Sequence, residues 1–162
     1  MPEYFFSVAS GGYYNGKHII KANVTTLLNG NLVALDSDGA IILDTGAANT
    51  ARGFLFEHRP GAEYVQDDNV ASTHAGKYAA FVTNSFQAFL AAGHFAAGVM
   101  PNVGDKLYPG TSGNVGKLAT SSAVTGQKVL GEVELITTVP DGVGGTYSVA
   151  LCRFNFEPYV VI

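Results

Sequence analysis

Gly11 to Lys17, GGYYNGK, has the G-x-x-x-x-G-K spacing of a phosphate-gripping loop. AIILD at 40–44 imitates the apolar strand and acidic residue that would hold a magnesium-bound water. That chemistry needs two further parts: a hydroxyl after the lysine for Mg²⁺, and a helix whose N-terminus faces the phosphates. His18 stands where the hydroxyl should be, and the β-branched run IIKANVTT follows where the helix should begin. A second Gly-Lys step lies in VGDKLYPGTSGNVGKLATSS at 103–122. It fails sooner, because Thr111 replaces the leading glycine and Leu118 replaces the hydroxyl. Both glycine-rich stretches read as turns between strands, where residues without a Cβ reach positive φ freely.

The remaining chemistry-bearing residues do not assemble into a site by spacing. His18, His58, His74 and His94 show neither the i, i+4 pairing nor the nearby carboxylates of a zinc site. Asp36, Asp38 and Asp44 resemble fragments of a calcium loop, but Ala40 and Ala47 occupy its fifth and twelfth positions. No G-x-S-x-G nucleophile elbow occurs. The lone Cys152, inside the apolar SVALCRF, reads as a buried thiol that can form no disulfide within the chain. The expectation is a protein that is not an enzyme and that carries no cofactor and no metal.

Composition points the same way. The chain has 162 residues, of which 14% are charged and 47% hydrophobic, with 20 glycines and no tryptophan. So few charges, against roughly a quarter in ordinary soluble domains, suit a surface partly covered by partners. A net charge of −4 without a Lys/Arg cluster argues against nucleic acid. No apolar run approaches the ~20 residues of a membrane helix, and the first residues do not read as a secretory signal, so no membrane partner is expected.

These residues must be positioned by strands. Period-2 patterns and glycine punctuation predict an all-β fold, a small β-barrel, β-tulip or sandwich. YFFSVAS (4–10) reads as a strand, and Asn15-Gly16 in YYNGKHII (13–20) predicts a type I′ hairpin. Turns at Asn29-Gly30 and Asp38-Gly39 flank NLVAL (31–35) and AIILD (40–44). Strands are predicted over RGFLFEH (52–58), KYAAFVT (77–83), DKLYP (105–109), GKLATS (116–121), KVLGEVELITTV (128–139) and TYSVALCRFNFE (146–157). NSFQAFLAAGHFAAG (84–98) fits either a strand or a helix with Phe86, Phe89, Leu90 and Phe95 on one face. The chain divides into an N-terminal arm or hairpin (1–24), a β-barrel domain (25–157) with a surface loop at 59–76, and a C-terminal tail (158–162). An internal echo runs Gly30-Asn31-Leu32-Val33, Gly39-Ala40-Ile41-Ile42, Arg52-Gly53-Phe54-Leu55, then Gly104-Asp105-Lys106-Leu107, Gly116-Lys117-Leu118, Leu130-Gly131-Glu132-Val133. Both halves follow one order of glycine, strand, turn, strand, loop, glycine, strand, as duplicated β-units would.

Aromatic residues crowd the beginning of the chain. Tyr4, Phe5, Phe6, Tyr13 and Tyr14 could fill one end of a barrel or form an arm that packs on another protein, and Tyr159 in EPYVVI raises the same question. They are the candidate interface residues. Tyr64, Asp67, Asp68 and Asn69 in the polar loop are local candidates for binding a glycan.

One family resemblance is carried by Gly76-Lys77, Phe86, Gly104 to Tyr108, Gly116 to Leu118, Leu130 to Val133 and Tyr147 to Phe154. In these elements the chain resembles the decoration (cement) and related small structural proteins of tailed-bacteriophage capsids. The likeness spans roughly residues 75–155, with a weaker echo over 25–57. It implies a β-barrel or β-tulip made in the host cytoplasm that binds the outer surface of the assembled virion. There it would stabilise the head by non-covalent bridging of major capsid protein subunits, as a homo-oligomer, a trimer above others. It implies no catalytic residues. A ligand- or receptor-binding β-module, such as one for glycans, or a tail or neck component of the virion, is the alternative.

Overall fold

A computed structural model of the chain describes residues 2–22, 24, 26–56 and 75–156. As expected, the fold is all β. Its strands are β1 (Phe6–Ile19), β2 (Leu32–Leu35), β3 (Ile41–Leu43), β4 (Gly53–Leu55), β5 (Tyr78–Ala91), β6 (Lys106–Pro109), β7 (Leu118–Ala119), β8 (Gly131–Pro140) and β9 (Thr146–Asn155). Their pairings are antiparallel, in the order β3-β2-β4-β5-β9-β8-β6-β7 with β1 added on β5, and the sheet curls into a half-barrel.

β5 is the spine. Its odd-numbered backbone groups face β1, where Ala91 N–H donates to the Phe5 carbonyl and Ile20 N–H to that of Lys77. Its even-numbered groups face the opposite edge, where Ala80 accepts from Phe56 and Asn84 from Phe156. That second edge therefore carries β4 against Phe81 and Val82, and then β9 against Ser85–Ala91. The change of partner falls at Asn84, whose φ of 67° inserts an extra residue opposite Gly11–Tyr13 and bends the strand. Gly11 and Gly12 allow the bend. Added Cβ atoms would lie 2.7 Å from the Ser85 carbonyl oxygen and 2.6 Å from Val82 Cγ2.

Two cores result. The larger contains Phe6, Phe54, Phe86, Leu107, Phe154 and Phe156, and the smaller contains Ile20, Val33, Ile41, Leu55 and Phe81. Phe54 stands at the centre of the larger core. It meets Phe154 at 4.7 Å between ring centroids, Phe6 at 5.5 Å, Phe156 at 5.6 Å and Phe86 at 6.0 Å.

Two expectations need correction or a decision. Asn15-Gly16 makes no hairpin, because the residues on either side of it pair with β5 rather than with each other. β1 runs on to Ile19, the pairing slips by one residue between Asn15 and His18, and Asn15 Oδ1 accepts the Lys17 N–H within that bulge. The ambiguous stretch 84–98 is strand as far as Ala91 and then short 3-10 turns. Phe86, Ala88 and Leu90 face inward at period 2, and Gly93 interrupts no helix. By contrast, the Asp38-Gly39 turn forms as expected, with Asp36 Oδ1 accepting the N–H groups of Asp38 and Ala40.

Candidate interaction surface

The two glycine-lysine stretches have structural roles. Gly11 to Lys17 lies inside β1 with no helix after it. Gly116 receives the Leu32 N–H at its carbonyl and donates to that of Asp44, which ties the 103–122 stretch to the loop after β3. Asp44 organises that loop from a fully buried position. Its carboxylate accepts from Gly46 N–H at 3.1 Å and from Thr50 Oγ1 at 2.6 Å, and burial pushes its pKa up against those bonds. Asp36 is held low, chiefly by the Ala40 N–H, with Lys21 Nζ 3.2 Å away. Asp36 and Asp44, two of the three calcium-loop fragments, thus spend their oxygens on backbone N–H groups, a threonine hydroxyl and a lysine. Cys152 is buried as expected, its thiol pushed up to about 12 by desolvation and by Glu134. Among the described residues no cluster of metal-ligating side chains occurs, and no helix is long and apolar enough to cross a membrane.

The aromatic N-terminal residues separate into three roles. Phe6 is fully buried in the main core, the filling role weighed for it. Phe5 packs with Ala91 and Val149 in a small cluster on the outer face of the sheet. Tyr4 lies edge-on to the buried His94 ring at 5.9 Å, and its carbonyl accepts from His94 Nε2 at 2.8 Å. Gly93 lets this segment close, since a Cβ there would sit 2.3 Å from the Glu3 carbonyl oxygen. Tyr13 and Tyr14 are about half exposed, at 49% and 47%. Tyr159, and Tyr64, Asp67, Asp68 and Asn69, lie outside the described residues.

Tyr13 and Tyr14 mark an unusual strand. β1 pairs with β5 along one edge, and nearly all of it beyond Val8 is exposed. Between Phe6 and Ile19 only Lys17 carries a formal charge. Sheet edges are normally blunted by charge, proline or cover, so a 14-residue edge rich in Gly, Ser and Tyr, with a single charged residue and no proline, suits contact with another protein. Sequence reasoning missed a second patch, the outer face of β5, β9 and β8. There Leu135, Leu151 and Phe89 stand in one row, beside Tyr147 and Val139. Leu135 is 48% exposed. The signal was available in YSVAL and ELITTV, where apolar residues occur at both parities.

No family model and no curated protein matches the chain. Among solved structures, a chain of "The capsid of Myoviridae Phage XM1" shares the fold with a TM-score of 0.56. The match covers 96% of this chain and 90% of that one, at 20% sequence identity. At that identity the likeness is one of fold.

Proposed function

We propose that this chain is a structural protein of a tailed-bacteriophage virion that binds the outer surface of the assembled capsid and stabilises it by bridging shell subunits. The observation that carries this reading is the fold, shared end to end with a chain from a phage capsid. The long edge of β1, charged only at Lys17, and the apolar row Phe89–Leu151–Leu135 on the outer face of β5, β9 and β8 support it, because a cement protein works by contact area repeated over many copies rather than by chemistry. Its partners on this reading are the major capsid protein and other copies of itself, arranged as a trimer.

The test compares cryo-electron microscopy maps of particles assembled with and without the chain. Extra density at regular lattice positions outside the head is expected, along with heads that break at lower temperature when it is missing. Density confined to tail or neck, or no association with particles, would refute the reading. Tyr13→Ala/Tyr14→Ala is the variant to use for the β1 edge. Deleting residues 1–16 would also remove Phe6 from the core and strip one side of β5, so lost binding could not be told from lost structure.

A further inference from the structure

The hydrogen bonds extend the sequence echo to individual atoms. Gly30 N–H donates to Leu55 and Gly104 N–H to Val133; Arg52 N–H donates to Val33 and Leu130 N–H to Leu107; Leu55 N–H donates to Asn31 and Val133 N–H to Asp105. Side chains follow suit. Leu28 N–H is capped by Asn31 Oδ1 at 2.7 Å and Asn102 N–H by Asp105 Oδ2 at 2.8 Å. Gly53 and Gly131 open equivalent strands, and a Cβ on either would strike a carbonyl of the next strand, Val82 O at 2.1 Å or Arg153 O at 2.3 Å. Even the closures correspond, as single parallel bridges join Ile20 to Ile41 and Phe95 to Leu118. One unit is therefore β2–β4 with the first half of β5, closed by the end of β1. The other is β6–β8 with β9, closed by the residues after β5.

Under this correspondence the row Leu32–Phe54–Val82 across β2, β4 and β5 maps onto Lys106–Glu132–Arg153 across β6, β8 and β9. In the first unit the row is buried, because it is the seat on which the second unit's Phe154 and Phe156 pack. In the second unit the same row is exposed and ion-paired, Lys106 Nζ to Glu132 at 2.9 Å and Arg153 to Glu134 at 3.1 Å. It borders an open cleft of about 460 Å³.

We infer that the chain is a tandem duplication of one β-unit sharing strand β5, and that Lys106–Glu132–Arg153 caps the second seat so that no further unit or second copy docks there. Terminal repeats of stacked architectures need such a polar face, since an apolar seat without an occupant recruits the nearest similar surface. This inference is independent of the capsid reading.

The test restores the apolar seat in the full chain with Lys106→Leu/Glu132→Phe/Arg153→Val and reads self-association by sedimentation velocity. The self-association constant is expected to rise by about a hundredfold over the wild-type chain, as uncovering a large apolar row allows. Lys106→Leu/Glu132→Leu should move it in the same direction by less. An assembly state unchanged in both variants overturns the cap. So does loss of the β-sheet circular dichroism signal in both, which would make the row a support of the fold instead.

Discussion

Acidification from pH 7 to pH 4 is expected to weaken this fold by about 3 kcal/mol through one side chain, His94. Its ring is 1% exposed. Nε2–H is committed to the Tyr4 carbonyl, and Nδ1 is a buried atom without a hydrogen-bond partner. A proton arriving at Nδ1 would create a buried cation whose new N–H meets no acceptor. Burial is accordingly the main reason its pKa falls from 6.5 to about 4, while Lys117 adds repulsion and the Tyr4 bond opposes the shift. The folded state thus binds the proton more weakly than the unfolded chain. The contribution is complete above the ordinary value of 6.5 and is lost as pH falls towards 4, at about 1.4 kcal/mol for each unit by which the folded pKa is depressed. Urea unfolding at pH 7, 5.5 and 4 should be measured for the wild type and for His94→Gln, whose amide N–H₂ can still reach the Tyr4 carbonyl. The difference between the two proteins isolates His94, because Asp36, whose lowered pKa withdraws stability in acid, and Asp44, whose raised pKa adds it, act in both. Stability curves that run parallel across that range would refute the reasoning.

Phe54→Ala should lower stability by about 4 kcal/mol, because it empties the centre of the aromatic cluster; Phe54→Leu should cost about 1–2 kcal/mol. Urea midpoints check both, and a loss below about 1 kcal/mol for the alanine variant would show that the cluster collapses around the gap. Asp44→Ala should cost about 2–3 kcal/mol by orphaning the Gly46 N–H and removing the acceptor that holds the Thr50 hydroxyl, whereas Asp44→Asn should stay within about 1 kcal/mol. The asparagine amide can donate to Thr50 Oγ1 while that hydroxyl turns to the Ala47 carbonyl, 3.1 Å away. Equal losses in thermal unfolding would contradict this account of the loop.

Local patterns predicted the strands well where neighbours in sequence are neighbours in space. NLVAL and AIILD pair across Asp38-Gly39, and the unbroken apolar run Leu32-Val33-Ala34 is buried on both faces of the sheet. The failures have a common physical cause. Asn15-Gly16 has turn chemistry, but β1 found a longer-range partner in β5, and pairing with β5 along 78–90 outweighed a two-residue hairpin. The strand across Asn84 was obscured because an asparagine in the left-handed region leaves no glycine or proline to signal a bulge. The roles of the N-terminal aromatics were equally hidden. Adjacent Phe5 and Phe6 point to opposite faces, one to the outer cluster and one to the core, and only the sheet decides which is which. The duplicated pattern was visible in the glycines, but the contrast between its two equivalent rows needed the register.

Because β5 is shared by both units, the first can pair its strands before the second exists, and the second cannot close until the last strand is made. Its contacts reach back from Gln87 to Ser10 over 77 residues and forward from Ser85 to Asn155 over 70. As it leaves the ribosome, β5 can meet β1 and β4, but its second half has no partner on the far edge until β9 emerges some sixty residues later. At about 5–20 residues per second that interval lasts seconds, with the far edge of half of a long apolar strand unpaired. Non-local sheets are slow to close even when complete. This protein's hazard is therefore one of timing, and it grows as synthesis slows, because the wait for β9 lengthens.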